Sequence, residues 1–252
     1  SPKAVALQPD GKLVLAGECA GASVNDFCAL RYNANGTLDL TFNGTGWVKV
    51  HVGAAATTNG ASAVVVQPDG KLVLFGFCTL PFDFCVLRYN ANGTPDVSFN
   101  GTGTVVVSPT NNADTAQAMA LQPDGKLLLA GQCPPSGDIC AGGSCPNADF
   151  CVLRLNIEGT LDNWWNGTGK VITPVGAGAV DFVSAILLQP DGKVVLAGSC
   201  NNGTDYDFCA VRYDGGPFPT PACNLDIDGD GQILGTVDSL IHARIALGMT
   251  SN

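Results

Sequence analysis

The chain has 252 residues, 46% hydrophobic and only 13% charged, with 32 Gly and 15 Pro, a composition that suits many short strands joined by tight turns rather than long helices. Its net charge of −10 comes from aspartate, since Glu18 and Glu158 are the only glutamates, and the 12 basic residues are scattered singly, which excludes the basic stripe of a nucleic-acid binder. No apolar run is long enough to span a bilayer, and the eleven cysteines lack the CxxC spacing of zinc or redox motifs, so an oxidising, extracytoplasmic location is expected.

The N-terminal Ser1-Pro2-Lys3 is not a signal peptide, and the chain reads as a secreted product whose signal has already been removed. From Ala4 a short apolar strand runs into Gln8-Pro9-Asp10-Gly11-Lys12, and a second strand follows from Leu13. Pro-Asp-Gly is the turn of a hairpin. The same pentapeptide recurs with its aspartate at Asp69, Asp124 and Asp191, at spacings of 59, 55 and 67. After each hairpin comes Asp-Phe-Cys, beginning at Asp26, Asp83, Asp149 and Asp207, then a third strand carrying one arginine: Arg31, Arg88, Arg154 or Arg212. Asn-Gly-Thr turns and a β-branched fourth strand complete the first two units, and Trp165-Asn166-Gly167-Thr168-Gly169 introduces a looser third copy.

The expected fold is therefore all-β: four repeats of four-stranded antiparallel blades, propeller-like, with the last repeat stopping after three strands. A β-solenoid or sandwich is the other architecture open to such a unit. The pattern resembles the delta-60 repeat family of bacterial surface proteins, through Gln8 to Lys12 and its copies, Arg31-Tyr32, Arg88-Tyr89 and Arg212-Tyr213, and Phe42-Asn43-Gly44 and Phe99-Asn100-Gly101. The resemblance implies a propeller over about residues 4–213 and no assigned enzymatic role.

One cysteine ends the second strand of each repeat and another opens the third, which predicts Cys19–Cys28, Cys78–Cys85, Cys133–Cys151 and Cys200–Cys209 as bridges between neighbouring strands. Cys140 and Cys145 form a further expected pair, and Cys223 is left for an intermolecular bond. Asn35, Asn43, Asn92, Asn100, Asn166 and Asn202 are formal glycosylation acceptors but read first as turn formers. Each arginine could belong to a ligand-binding ring or pair with the aspartate of its own Asp-Phe-Cys motif, and the structural reading is preferred. Tandem Trp164 and Trp165 are read as core.

After residues 1–213, the β-repeat domain, a Pro/Gly linker is expected over 214–222 and a calcium-binding segment over 223–252. Asp226, Asp228 and Asp230 occupy alternate positions, Gly231 and Gln232 follow, and Asp238 supplies a late carboxylate. This resembles the first half of an EF-hand or dockerin loop, which implies calcium as cofactor. Leu240, Ile241, Ile245 and Gly248 then fall at helical spacing.

His51 and His242 stand in unrelated contexts and the two glutamates are isolated, so no triad or acid pair is visible and a non-catalytic protein is expected. The leading expectation is a secreted structural protein at the cell surface that self-associates through the open edge of its incomplete last sheet, as a filament or surface-layer subunit. A lectin-like or adhesive propeller that binds extracellular glycans is the alternative, and a fragment of a longer repeat array is a competing explanation of the missing strand.

Overall fold

The computed structural model describes residues 1–21, 24–54, 57–79, 82–135, 145, 147–176 and 180–216. Among these residues the chain forms fifteen strands in four antiparallel sheets and no helix. Sheet 1 contains β1 (Pro2–Leu7), β2 (Leu13–Ala20), β3 (Asn25–Tyr32) and β4 (Trp47–Val50). Sheet 2 contains β5 (Gly60–Val66), β6 (Leu72–Cys78), β7 (Asp83–Tyr89) and β8 (Thr104–Val107), and sheet 3 contains β9 (Thr115–Leu121), β10 (Leu127–Cys133), β11 (Asp149–Leu155) and β12 (Lys170–Thr173). Sheet 4 has only β13 (Phe182–Leu188), β14 (Val194–Asn201) and β15 (Tyr206–Tyr213).

Local chemistry explains why the unit repeats so faithfully. In the first hairpin Gly11 N–H donates to Gln8 O at 2.9 Å, Lys12 N–H donates to Asp10 Oδ1 at 3.2 Å, and Gly11 takes a φ of 81°. Proline presets the first corner residue and glycine supplies the left-handed closing residue. Further on, Asn43, Asn100 and Asn166 sit at φ between 51° and 53°, each followed by a left-handed glycine, which is the conformation Asn-Gly accepts most readily among ordinary dipeptides.

Each sheet has two apolar faces, so no sheet is covered alone, and stacking solves this. The first strand of each later sheet lies against the sheet before it: β5 on β1, β2 and β3, β9 on β5, β6 and β7, and β13 on β9, β10 and β11. Because first strands also neighbour one another, they form the inner wall of a propeller arc. Three cores result, one at each junction, centred on Phe27 and Leu74, on Phe84 and Leu129, and on Phe150 and Leu196.

Candidate functional site

The repeated arginine lies at these junctions. Arg31 Nε donates to Asp39 Oδ2 at 2.8 Å, Arg88 Nε to Asp96 Oδ2 at 2.7 Å, and Arg154 Nε to Asp162 Oδ2 at 2.8 Å. The partner is thus the aspartate after the Asn-Gly-Thr or equivalent turn, which corrects the expected pairing with the Asp-Phe-Cys aspartate. Asp26 lies five residues from Arg31 along β3, on the opposite face and about 17 Å away at strand rise. Each guanidinium also covers the aromatic ring that follows, at 4.6 Å from Phe42, 4.4 Å from Phe99 and 5.2 Å from Trp165. Its Nη1 reaches into the next sheet and donates to the carbonyl of Ala91, Ile157 or Gly215, three residues beyond that sheet's own arginine. These arginines are buried clasps between blades, each engaged through Nε, Nη1 and Nη2 with partners inside the protein.

The clasp aspartates are held ionised. Asp39 lies well below the usual carboxylate range because the Thr41 hydroxyl donates to it, with burial opposing and the Thr41 N–H, Lys12 and Arg31 adding to the effect. At Asp96 burial pushes upward, and the Ser98 hydroxyl, Lys71, the Ser98 N–H and Arg88 together bring the carboxyl down to about 2.

The Asp-Phe-Cys aspartates serve the loops instead. Asp26 accepts from His51 Nδ1 at 2.7 Å, while His51 Nε2 faces the Ala54 carbonyl at 2.9 Å. Two acceptors favour the doubly protonated ring and raise the His51 pKa, the Ala54 carbonyl first and Asp26 second. An imidazole engaged on both nitrogens is poorly placed to act as a general base. Asp83 accepts from the Thr79 hydroxyl at 2.6 Å and Asp207 from Asn202 Nδ2 at 2.8 Å.

A further set of side chains escaped sequence reasoning. Asn59, Asp114 and Asp181 each place their own N–H on a carbonyl of the preceding repeat, Asn25, Phe82 and Ala148, and accept from the loop behind them. Each stands eight residues before the glutamine of its repeat's Gln-Pro-Asp-Gly-Lys, at Gln67, Gln122 and Gln189, and that fixed spacing is the signal that could have found them. Burial raises the Asp114 carboxyl to about 6 against the pull of the Thr110 hydroxyl and N–H, with Asp83 adding to the rise.

Four disulfides join Cys19 to Cys28, Cys78 to Cys85, Cys133 to Cys151 and Cys200 to Cys209, and Cys145 is also disulfide-bonded. Each of the four links the second and third strands of one sheet, so every blade carries its own staple. Such bridges indicate an oxidising environment. Cys140, Cys223 and the calcium candidates Asp226, Asp228, Asp230, Gln232 and Asp238 lie outside the described residues. No helix among the described residues is long and apolar enough to cross a membrane.

The tandem tryptophans divide. Trp165 is buried, as expected, whereas Trp164 is 96% exposed because it takes the surface position that Thr41 and Ser98 hold in the first two repeats. A cleft of about 170 Å³ lies beside Gln132, Cys145 and Phe182, and an open hollow of about 670 Å³ lies on sheet 4 beside Ala185, Ala197 and Phe208. The conspicuous free surfaces are the two ends of the arc. Val5 and Leu7 on sheet 1 are 65% and 68% exposed, and Leu187 and Phe208 on sheet 4 are 61% and 103% exposed.

A family profile described as "domain of unknown function (DUF5122) beta-propeller" matches residues 8–42, 67–99 and 189–215. No curated protein matches the chain. Among solved structures, a protein of unknown function from Bacteroides caccae is 15% identical, with a TM-score of 0.48, over 85% of this chain and 64% of that one. A streptogramin B lyase is 12% identical at a TM-score of 0.43, over 87% and 55%, and a GH43 enzyme from Xanthomonas citri is 15% identical at 0.44, over 84% and 69%. The chain thus spans less than two thirds of the first two. These comparisons correct one expectation. The conclusion that the protein is not an enzyme, drawn from the lack of a recognisable triad, does not stand when the matching structures include a lyase and a glycoside hydrolase. At such identities none of their activities is carried over to this chain.

Proposed function

We propose that the chain is a secreted, extracellular or cell-surface assembly subunit, a disulfide-stapled β-propeller module that self-associates through the open end of its last sheet. One observation carries this reading. In sheets 1, 2 and 3 the third strand is covered by a fourth, whereas no strand pairs with the outer edge of β15 among the described residues. An uncovered edge presents backbone donors and acceptors in a row, and another chain can pair with them. The disulfides support the extracytoplasmic setting. In this reading residues 1–213 are the repeat domain and 214–222 a linker. Residues 223–252 bind calcium through Asp226, Asp228, Asp230, Gln232 and Asp238, with Cys223 as an intermolecular bridge.

Sedimentation and electron microscopy of the purified protein with calcium test the proposal: oligomers or filaments are expected, and a monodisperse monomer at tens of micromolar overturns it. Metal analysis of Asp228→Ala should find one calcium fewer per chain than the parent. The exposed Trp164 favours a second reading, a lectin-like surface, because a flat aromatic free of its core stacks readily on sugar rings. Glycan-array binding that Trp164→Ala abolishes would support it.

A further inference from the structure

We propose that the exposed faces of sheet 1 and sheet 4 are the two halves of one interface, and that the sheet 4 face of one copy of this chain docks on the sheet 1 face of a second copy. The inference rests on the assembly reading above and replaces its edge pairing with a face-to-face contact of defined polarity.

These two faces continue an interface that the molecule already builds three times. At the junction of sheets 2 and 3, Val65, Val73 and Phe84 project forward and Leu127, Leu129 and Leu153 receive them. Strand registers make the positions comparable from blade to blade. Val65 pairs with Val73 as Leu187 pairs with Val195, and Phe84 faces Phe77 as Phe208 faces Ser199. Leu187, Val195 and Phe208 therefore stand in the forward positions of sheet 4. On the receiving side, Val64 pairs with Leu74 and Val66 with Leu72, as Val5 pairs with Leu15 and Leu7 with Leu13. The receiving set of sheet 1 is thus Val5, Leu7, Leu13 and Leu15, and nothing among the described residues occupies it.

Two finer features set the fit. The forward phenylalanine lies over a glycine of the next sheet: the Phe84 ring is 2.8 Å from where a Cβ on Gly131 would stand, and the Phe150 ring is 3.1 Å from that point on Gly198. The register places Phe208 as the same knob and Gly17, paired with Cys28 as Gly131 is with Cys151, as its socket in a second copy. The forward arginine is equally regular. Arg31, Arg88 and Arg154 each donate to a carbonyl three residues past the next arginine, whereas the Arg212 guanidinium is exposed and makes no hydrogen bond or ion pair among the described residues. Its counterpart acceptor on sheet 1 is the Ala34 carbonyl.

A second copy supplies both halves, and it does so only head to tail. Two sheet 4 faces would bring together two phenylalanine knobs and two arginines with no socket between them. A contact between different faces leaves one of each free at the ends, so it closes into a ring or continues as a chain according to the angle the arc subtends.

Sedimentation of the full chain and two face variants tests this. Phe208→Asp and Leu7→Asp each spoil one face at an exposed position, and each alone should be monomeric, because every possible contact then contains the spoiled face. Mixed in equal amounts they should form a one-to-one heterodimer and nothing larger, since one intact pair of faces remains. Arg212→Ala should weaken the association about tenfold to a hundredfold. If either variant assembles by itself, the head-to-tail contact is wrong while the assembly reading survives through the sheet edge. If both are monomeric and the mixture stays so while the parent assembles, the contact between these two faces is wrong, and so is pairing at the β15 edge, which Leu7→Asp leaves untouched. A monomeric parent chain overturns both.

Discussion

Arg88→Ala perturbs the clasp between sheets 2 and 3. The Arg88 and Asp96 side chains are 6% and 7% exposed, with Nε 2.7 Å from Oδ2. Removing one partner of a buried pair costs about 3–5 kcal/mol, mainly because the other charge is stranded. Here Lys71 stays 3.2 Å from the same carboxylate and Ser98 still donates to it, which favours the lower end of that range. The contact with Phe99 is worth a further ~1 kcal/mol, and the 2.5 Å hydrogen bond to the Ile157 carbonyl is lost as well. Since these terms share atoms and do not add, about 3–4 kcal/mol is expected in all. With a urea slope near 3 kcal/mol/M the midpoint should fall by about 1 M. Urea unfolding with disulfides intact, followed by tryptophan fluorescence and far-UV circular dichroism, measures it. Arg88→Lys keeps the charge but loses the fork and should fall between. The difference should also narrow in acid, because a carboxylate held at about 2 contributes fully above about pH 4 and its contribution is lost as pH falls through 2. A loss below ~1 kcal/mol would refute the clasp argument, since that is the worth of an exposed pair.

Gly93→Ala should destabilise the chain much more than Gly36→Ala. Both glycines have φ above +80°, but a Cβ on Gly93 would meet Asn43 N at 2.8 Å and the Phe42 ring at 2.9 Å, while one on Gly36 meets nothing within 4 Å; equal losses in thermal melts would contradict this. Asp114→Asn should leave stability at pH 7 unchanged or higher and flatten its pH dependence. The Asp114 carboxyl sits at about 6 in the folded chain, so its charging opposes folding as pH rises from about 4 to 6, and Asn59 already fills the equivalent anchor; a variant that keeps the parent's slope in that window would show another group responsible. Cys78→Ser with Cys85→Ser opens a bridge between residues seven apart and should cost about 2–3 kcal/mol by loop entropy, read as a lower urea midpoint, and a change under ~0.5 kcal/mol would mean that neighbouring packing already restrains both strands.

Much of the fold was legible because it is written in turns. Gln-Pro-Asp-Gly-Lys and Asn-Gly dictate backbone angles locally, without help from distant residues, and their recurrence implied the four-strand unit and the bridges between its second and third strands. The partner of the arginine was not legible. The sequence reading pairs Arg31 with the nearer Asp26, but strand alternation places Asp26 on the opposite face at the far end of β3, and the turn folds Asp39 back beside Arg31. The tandem tryptophans were separable by the repeat, since Trp165 precedes Asn166-Gly167 where Phe42 and Phe99 precede their Asn-Gly, and Trp164 stands where Thr41 and Ser98 do.

By itself, then, the sequence determined the elements, their grouping into blades and the staple within each blade, because these depend on residues close together in the chain. Only the tertiary structure decided what crosses between blades: the arginine reaching a carbonyl some 60 residues away, the phenylalanine seated on a glycine of the next sheet, the anchors at Asn59, Asp114 and Asp181. The same was true of which apolar faces are covered. Val5, Leu7, Leu187 and Phe208 carry the same alternating pattern as their buried counterparts, and burial is a property of what is stacked against a strand rather than of the strand's own residues.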